Sequence, residues 1–107
     1  MADALSAAAE PTRRRLLQLL ATGPRTVSEL AEQFTVTRPA ISQHLAVLAD
    51  AGLVTARKDG RQRFYSVVPT GITQLRAEID RFWSTELDLL VEDATRRATT
   101  QPEEHRA

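Results

Sequence analysis

The run TRPAISQHLAVL, from Thr37 to Leu48, constrains this chain more than any other stretch. At about 100° per residue, Ile41, Leu45 and Leu48 fall on one helical face. Pro39, Ser42, Gln43 and Ala46 fall on the opposite side, where an ordinary surface helix carries lysine and glutamate. Small polar residues there let the helix approach another molecule closely, with hydroxyl and amide groups free to read hydrogen-bonding edges. A second short helix precedes this one and a basic hairpin follows. That is the layout of a DNA-reading helix.

The flanking segments fill in a mainly α chain with a small β-hairpin. Asp3 to Ala9 is alanine-rich and reads as a short helix with Leu5, Ala8 and Ala9 on its apolar face. Pro11 stands at the start of the next helix, whose Leu16, Leu17, Leu19 and Leu20 face inward until Gly23-Pro24 ends it. Thr26 and Glu29 form a capping box for a third helix, with Leu30, Ala31 and Phe34 on its core side. Thr37 is the expected N-cap of the central helix, Pro39 sits in its first turn, and Gly52 stops it. Two strands are expected at about Leu53–Lys58 and Arg61–Val68, joined by Asp59-Gly60 in a type I′ turn. Pro69 then closes the sheet and Thr70 caps a long last helix. Its apolar steps are Ile72, Leu75, Ile79, Phe82, Trp83, Leu87, Leu90 and Ala94.

At 107 residues the chain is long enough for one domain, read here as residues 1–98 with a disordered tail over 99–107. There is no cysteine, which excludes disulfides, thiolate metal sites and thiol switches. The N-terminus lacks the apolar run of a signal peptide and no stretch approaches the length of a membrane span, so a cytoplasmic protein is expected. The formal net charge is zero, but its distribution is uneven. Thr35–Leu75 holds five basic and two acidic residues, whereas Arg76–Ala107 holds five basic and eight acidic. Local patches rather than totals set the attraction to phosphates, and a dimer would double the positive one. Catalysis finds no support: Ser42 and His44 are neighbours on a helix with no orienting acid at suitable spacing.

Two helices joined by a short turn and followed by a hairpin make a winged helix-turn-helix. Over Glu10–Trp83 the chain resembles the ArsR/SmtB family of bacterial winged-helix repressors. The landmarks are PTRRRLLQLL (Pro11–Leu20), SELAEQF (Ser28–Phe34), RPAISQHLAVLADAGLV (Arg38–Val54) and DGRQRFYSV (Asp59–Val67). Glu10 stands where the family often has aspartate. The resemblance implies that Thr37, Arg38, Ser42 and Gln43 lie at the exposed start of the recognition helix. There Gln43 would pair with adenine or accept and donate more loosely, Arg38 would take guanine or a phosphate, Ser42 would be permissive, and Pro39 would touch a thymine methyl. For Thr37 and Ser42 the competing role is capping or plain surface. His44 either packs with one ring hydrogen bond or contacts a phosphate. Around the wing, Arg57, Lys58, Arg61 and Arg63 are expected on phosphates or in the minor groove.

The family's metal-sensing patterns are missing from this chain. Where some members carry a cysteine pair there is Leu30–Phe34, and no histidine lies between His44 and His105. Asp88, Glu92 and Asp93 offer only oxygen ligands and read as a solvated face. No cofactor or metal is expected, and the effector stays unknown. The last helix has more apolar surface than a small domain covers. Leu5, Ile79, Phe82, Trp83, Leu87 and Leu90 are therefore expected in a two-fold interface, with Phe82 and Trp83 in an effector pocket as the alternative. A homodimer would place two recognition helices about 34 Å apart on a roughly palindromic site in double-stranded DNA. The functional expectation is a homodimeric, metal-independent repressor; the alternative is a winged-helix module for protein association with an acidic C-terminal working surface.

Overall fold

A computed structural model describes residues 3–100, with side chains described through residue 98. The element order is α1 (Ala4–Ala9), α2 (Pro11–Leu20), β1 (Arg25–Thr26), α3 (Val27–Ala31), α4 (Arg38–Asp50), β2 (Val54–Asp59), β3 (Gln62–Val67) and α5 (Pro69–Thr100). The chain separates into two compact units, one ending at Leu75 and the other starting at Arg76. The first contains the helix-turn-helix and the sheet. No helix among the described residues is long and apolar enough to cross a membrane.

Local chemistry explains each boundary. Glu10 precedes a proline, which disfavours helical backbone, and its φ and ψ of −69° and 132° break the chain between α1 and α2. Its two carboxylate oxygens accept the free N–H groups of Thr12 (3.1 Å) and Arg13 (2.9 Å). The capping box of α3 is complete: Glu29 N–H donates to Thr26 Oγ1 (3.2 Å), and Thr26 N–H donates to Glu29 Oε1 (2.8 Å). Thr37 caps α4 by accepting from Ala40 N–H at 3.3 Å. At the other end of α4, Gly52 N–H donates to Ala49 and Leu53 N–H to Leu48, both at 3.0 Å. With Gly52 at φ +79° this is a Schellman ending, and its apolar partners Leu48 and Leu53 are both fully buried.

The core of the first unit gathers Leu16 and Leu20 from α2, Leu30 from α3, Ile41, Leu45 and Leu48 from α4, and Leu53 at the start of the wing, each at 0–1% exposure. The stripe read from the Thr37–Leu48 run is thus the inner face of α4. On α1 the buried residue is Ala7, not the expected set of Leu5, Ala8 and Ala9: Leu5 and Ala8 are half-buried and Ala9 is exposed.

The sheet departs from a simple hairpin in three ways. It has three antiparallel strands in the order β1-β3-β2, because Arg25 and Thr26 pair with Tyr65 and Phe64. The register pairs Val54 with Val67 and Asp59 with Gln62, so the turn residues are Gly60 and Arg61, one position later than expected. Gly60 has φ +64° and no non-glycine residue among the described residues has positive φ, the sign pattern of a type II′ turn rather than I′. Finally, α5 begins at Pro69, and Val68 O accepts from Ile72 N–H, so Thr70 lies inside the helix rather than capping it. The helix continues through Thr100, two residues into the stretch read as a tail; Gln101–Ala107 lie outside the described residues.

Gly71, in the first turn of α5, meets the turn that ends α4. A Cβ built at Gly71 would overlap the carbonyl oxygen of Gly52 and crowd Leu53. Only glycine allows this approach.

Candidate nucleic-acid interface

With Ile41, Leu45 and Leu48 turned inward, α4 presents Arg38, Pro39, Ser42, Gln43 and Ala46 outward, and all five are exposed. These side chains share an arc of about 140°. Thr37 is exposed at the tip, its hydroxyl oxygen engaged by Ala40 N–H. The sequence-predicted set is therefore brought onto one open surface, with one exception.

The exception is His44, which is turned toward α2. Its Nδ1 lies 3.3 Å from an Arg13 guanidinium nitrogen and 3.6 Å from Glu10 Oε2. A neutral ring accepts from Arg13 through this nitrogen, and a protonated ring pairs with Glu10 through the same one. Arg13 also donates from Nε to Ala7 O at 2.7 Å, and Arg14 donates to Ala9 O at 2.8 Å. Two of the three consecutive arginines thus satisfy the last carbonyls of α1. The resulting network ties α4 to the α1–α2 junction. Burial works to raise the Glu10 carboxyl. The Arg13 and Thr12 backbone N–H groups, with the charges of His44 and Arg13, outweigh it and hold the group below its ordinary value of 4.5.

The ladder sorts the four basic residues of the wing. Lys58 stands directly opposite Arg63, so the two share one face of the hairpin; Arg57 is opposite Phe64 on the other face, and Arg61 is in the turn. All four are exposed. Like charges directly across a ladder are destabilising in the free protein, and a polyanion relieves that repulsion. Pairing of β1 with β3 also brings the start of α3 beside the wing. Between them lies an open cleft of about 210 Å³, lined by Thr26, Val27, Ser28, Arg61, Gln62 and Arg63. Sequence reasoning missed Ser28 and Gln62. Only the two-residue strand β1 would have revealed their proximity, and it carries no periodic signal.

On the second unit, the predicted interface residues of α5 are open in the single chain. Ile79 is half-buried, while Phe82, Trp83, Leu87 and Leu90 are 46–60% exposed, joined by Leu89 and Val91. Although adjacent in sequence, the Phe82 and Trp83 rings meet edge-on, with centroids 5.3 Å apart and planes at 82°. Asp93, near the end of the helix, pairs with Arg96 and Arg97. No group of three or more histidine, cysteine, aspartate or glutamate side chains among the described residues is arranged to hold a metal ion.

Known proteins share this arrangement. The family model described as "Bacterial regulatory protein, arsR family" matches residues 10–56, from the α2 cap to the middle of β2. The chain is 49% identical over 84 residues to the HTH-type transcriptional regulator Rv2034 of Mycobacterium tuberculosis, covering 78% of each protein. It is 36% identical over 70 residues to the transcriptional repressor SdpR of Bacillus subtilis, covering 65% of this chain and 78% of that one. Among solved structures, it is similar to a possible transcriptional regulator for arsenical resistance, with 60% identity and a TM-score of 0.78 over 87% of this chain and 97% of that one. The family and these relatives are regulators rather than enzymes. The chain belongs to the arsR family of bacterial regulatory proteins and is a DNA-binding transcriptional regulator of the winged helix-turn-helix type.

Proposed function

We propose that the protein is a homodimeric, metal-independent repressor that covers promoter DNA at a roughly palindromic site. The observation that carries this reading is the division of α4: a fully buried stripe of Ile41, Leu45 and Leu48 behind an exposed face of Arg38, Pro39, Ser42 and Gln43. The buried stripe fixes the helix, and from Arg38 to Ala46 the open face carries no acidic side chain, Asp50 falling on the same arc only at the far end of the helix. Gln43 supplies a donor and acceptor pair suited to adenine, Arg38 suits guanine or a phosphate, and Ser42 accommodates either. Thr37 and Pro39 complete the leading edge. Wing residues Arg57, Lys58, Arg61 and Arg63 add the phosphate attraction that holds the helix in the major groove. His44 acts from behind, holding α4 against α2.

Dimerisation rests on the exposed apolar side chains of α5, from Phe82 at 46% to Val91 at 64%. Six large apolar side chains exposed within ten residues of one helix mark an interface, and an isologous pair brings two reading helices into register with DNA. Ile79 lies on the same helix, and Leu5 on α1 is assigned to the two-fold interface as well. The absence of cysteine removes thiolate metal sensing as a switch.

Binding to the DNA upstream of the protein's own gene, measured across a salt series, tests the reading. Affinity should fall steeply with salt, and an Arg57→Ala/Arg61→Ala double variant, which removes two cations from each of two chains, should flatten the log–log slope by about four. Absence of binding at low salt would overturn it.

A further inference from the structure

One ring nitrogen of His44 faces two groups of opposite charge. Nδ1 is 3.3 Å from an Arg13 guanidinium nitrogen and 3.6 Å from Glu10 Oε2. The two partners require different forms of that nitrogen. Arg13 is a donor at every accessible pH and needs a bare Nδ1, whereas the Glu10 carboxylate only accepts and needs Nδ1–H. They also lead to different elements. Arg13 donates from Nε to Ala7 O at 2.7 Å, so its guanidinium spans from α1 to α4. Glu10 caps α2 through the Thr12 and Arg13 N–H groups. Its carboxyl, held below the ordinary value of 4.5, stays ionised through the range in which imidazole gains a proton. The His44 side chain is 25% exposed, so solvent protons reach it.

Other charged groups on the elements packed against α4 are engaged elsewhere. Asp3 at the head of α1 accepts from Ser6 N–H, Arg14 of α2 donates to Ala9 O, and Glu29 of α3 accepts from Thr26 N–H. Neither these three nor Arg15 on α2, nor Arg57, Lys58 and Asp59 on β2, makes a hydrogen bond or ion pair with His44 among the described residues. On α4 itself, Asp50 is more than a turn and a half further on.

We propose that His44 is a proton-operated latch on the reading helix. The neutral ring ties α4 to α1 through Arg13; the protonated ring repels Arg13 and ties α4 to the α2 cap through Glu10. The proton comes from solvent, and the three side chains pass together from a net charge of zero to +1. The latch rests on the reading of α4 as the base-contacting helix and adds a control to it: discrimination between DNA sequences depends on pH, because the link that fixes α4 changes.

Two measurements on the full chain test this. The first is the ¹⁵N resonances of the His44 ring, followed from about pH 8 to about pH 5. At the upper end the proton should sit on Nε2 with Nδ1 bare, and Nδ1 should gain a proton as the Arg13 side-chain resonances shift in step. A neutral ring protonated on Nδ1 would mean that Glu10 is the partner throughout, and would overturn the latch. The second is competition between the upstream fragment and an unrelated duplex at constant ionic strength. The wild-type preference should fall at least about fivefold across that pH range, the lower end of a typical coupling between sites. His44→Asn sets an acceptor near Nδ1 that cannot take a proton, and should keep the high-pH preference throughout; His105→Asn should follow wild type. Glu10→Gln keeps acceptors for the α2 cap but not the charge, and should move the change to lower pH. A constant wild-type preference, or a His44→Asn preference that falls in step with wild type, would overturn the latch and leave DNA binding intact. Failure of wild type to bind any upstream fragment at low salt would overturn the reading on which the latch rests.

Discussion

Gln43 and His44 are consecutive residues with opposite work. Gln43 projects from the exposed face of α4, while His44 turns back to Arg13 and Glu10. About 100° of helical rotation separates the residue proposed to read DNA from the one that ties α4 to α2. Gln43→Ala should therefore reduce discrimination between the preferred site and a single-base variant by about 1–3 kcal/mol, with little loss of non-specific affinity. Competition binding with the two sequences measures this; equal losses on both would remove Gln43 from the base-reading set. Glu10 makes a separate prediction in pH. Its carboxyl titrates lower in the folded protein than in the unfolded chain, so the unfolded chain binds the proton more readily. The stability it contributes is present above the ordinary value of 4.5 and is lost as pH falls through the lower folded value. Thermal melts from about pH 6 to about pH 3 should show wild type losing more Tm than Glu10→Gln.

At the scale of elements, the close approach of α5 to the end of α4 has a measurable cost when disturbed. Gly71→Ala puts a Cβ into the Gly52 carbonyl and should destabilise the fold by about 1–3 kcal/mol. Urea unfolding should show this as a lower midpoint with an unchanged slope. Nothing in the sequence around Gly71 announces that contact, because its partner lies nineteen residues earlier and is itself a turn glycine. Elements with local causes were legible: the Thr26–Glu29 box, the Thr37 cap and the Gly52 stop each depend on residues a few positions apart. The long-range ones were not. Strand β1 is two residues whose partners lie about forty positions later, too short for alternation to show. The wing turn is set by the pairing of Val54 with Val67 at the foot of the hairpin. Counting up that ladder places glycine first in the turn, which suits type II′ and displaces the Asp-Gly pattern. The exposed α4 face was readable because one periodic stripe fixed its opposite side, whereas the Ser28–Arg63 cleft needed the sheet.

At the scale of the whole molecule, the proposed dimer rests on the exposed apolar side chains of α5. Leu90→Glu, at a position 60% exposed in the single chain, should yield a monomer by analytical ultracentrifugation with helix content retained. An unchanged dimer would move the interface elsewhere. The most direct test of the account is a hydroxyl-radical footprint of the protein on its upstream DNA. The account predicts two protected segments centred about one helical turn, or 34 Å, apart on one face of the duplex, at two chains per site. A single protected segment at one chain per site would contradict it.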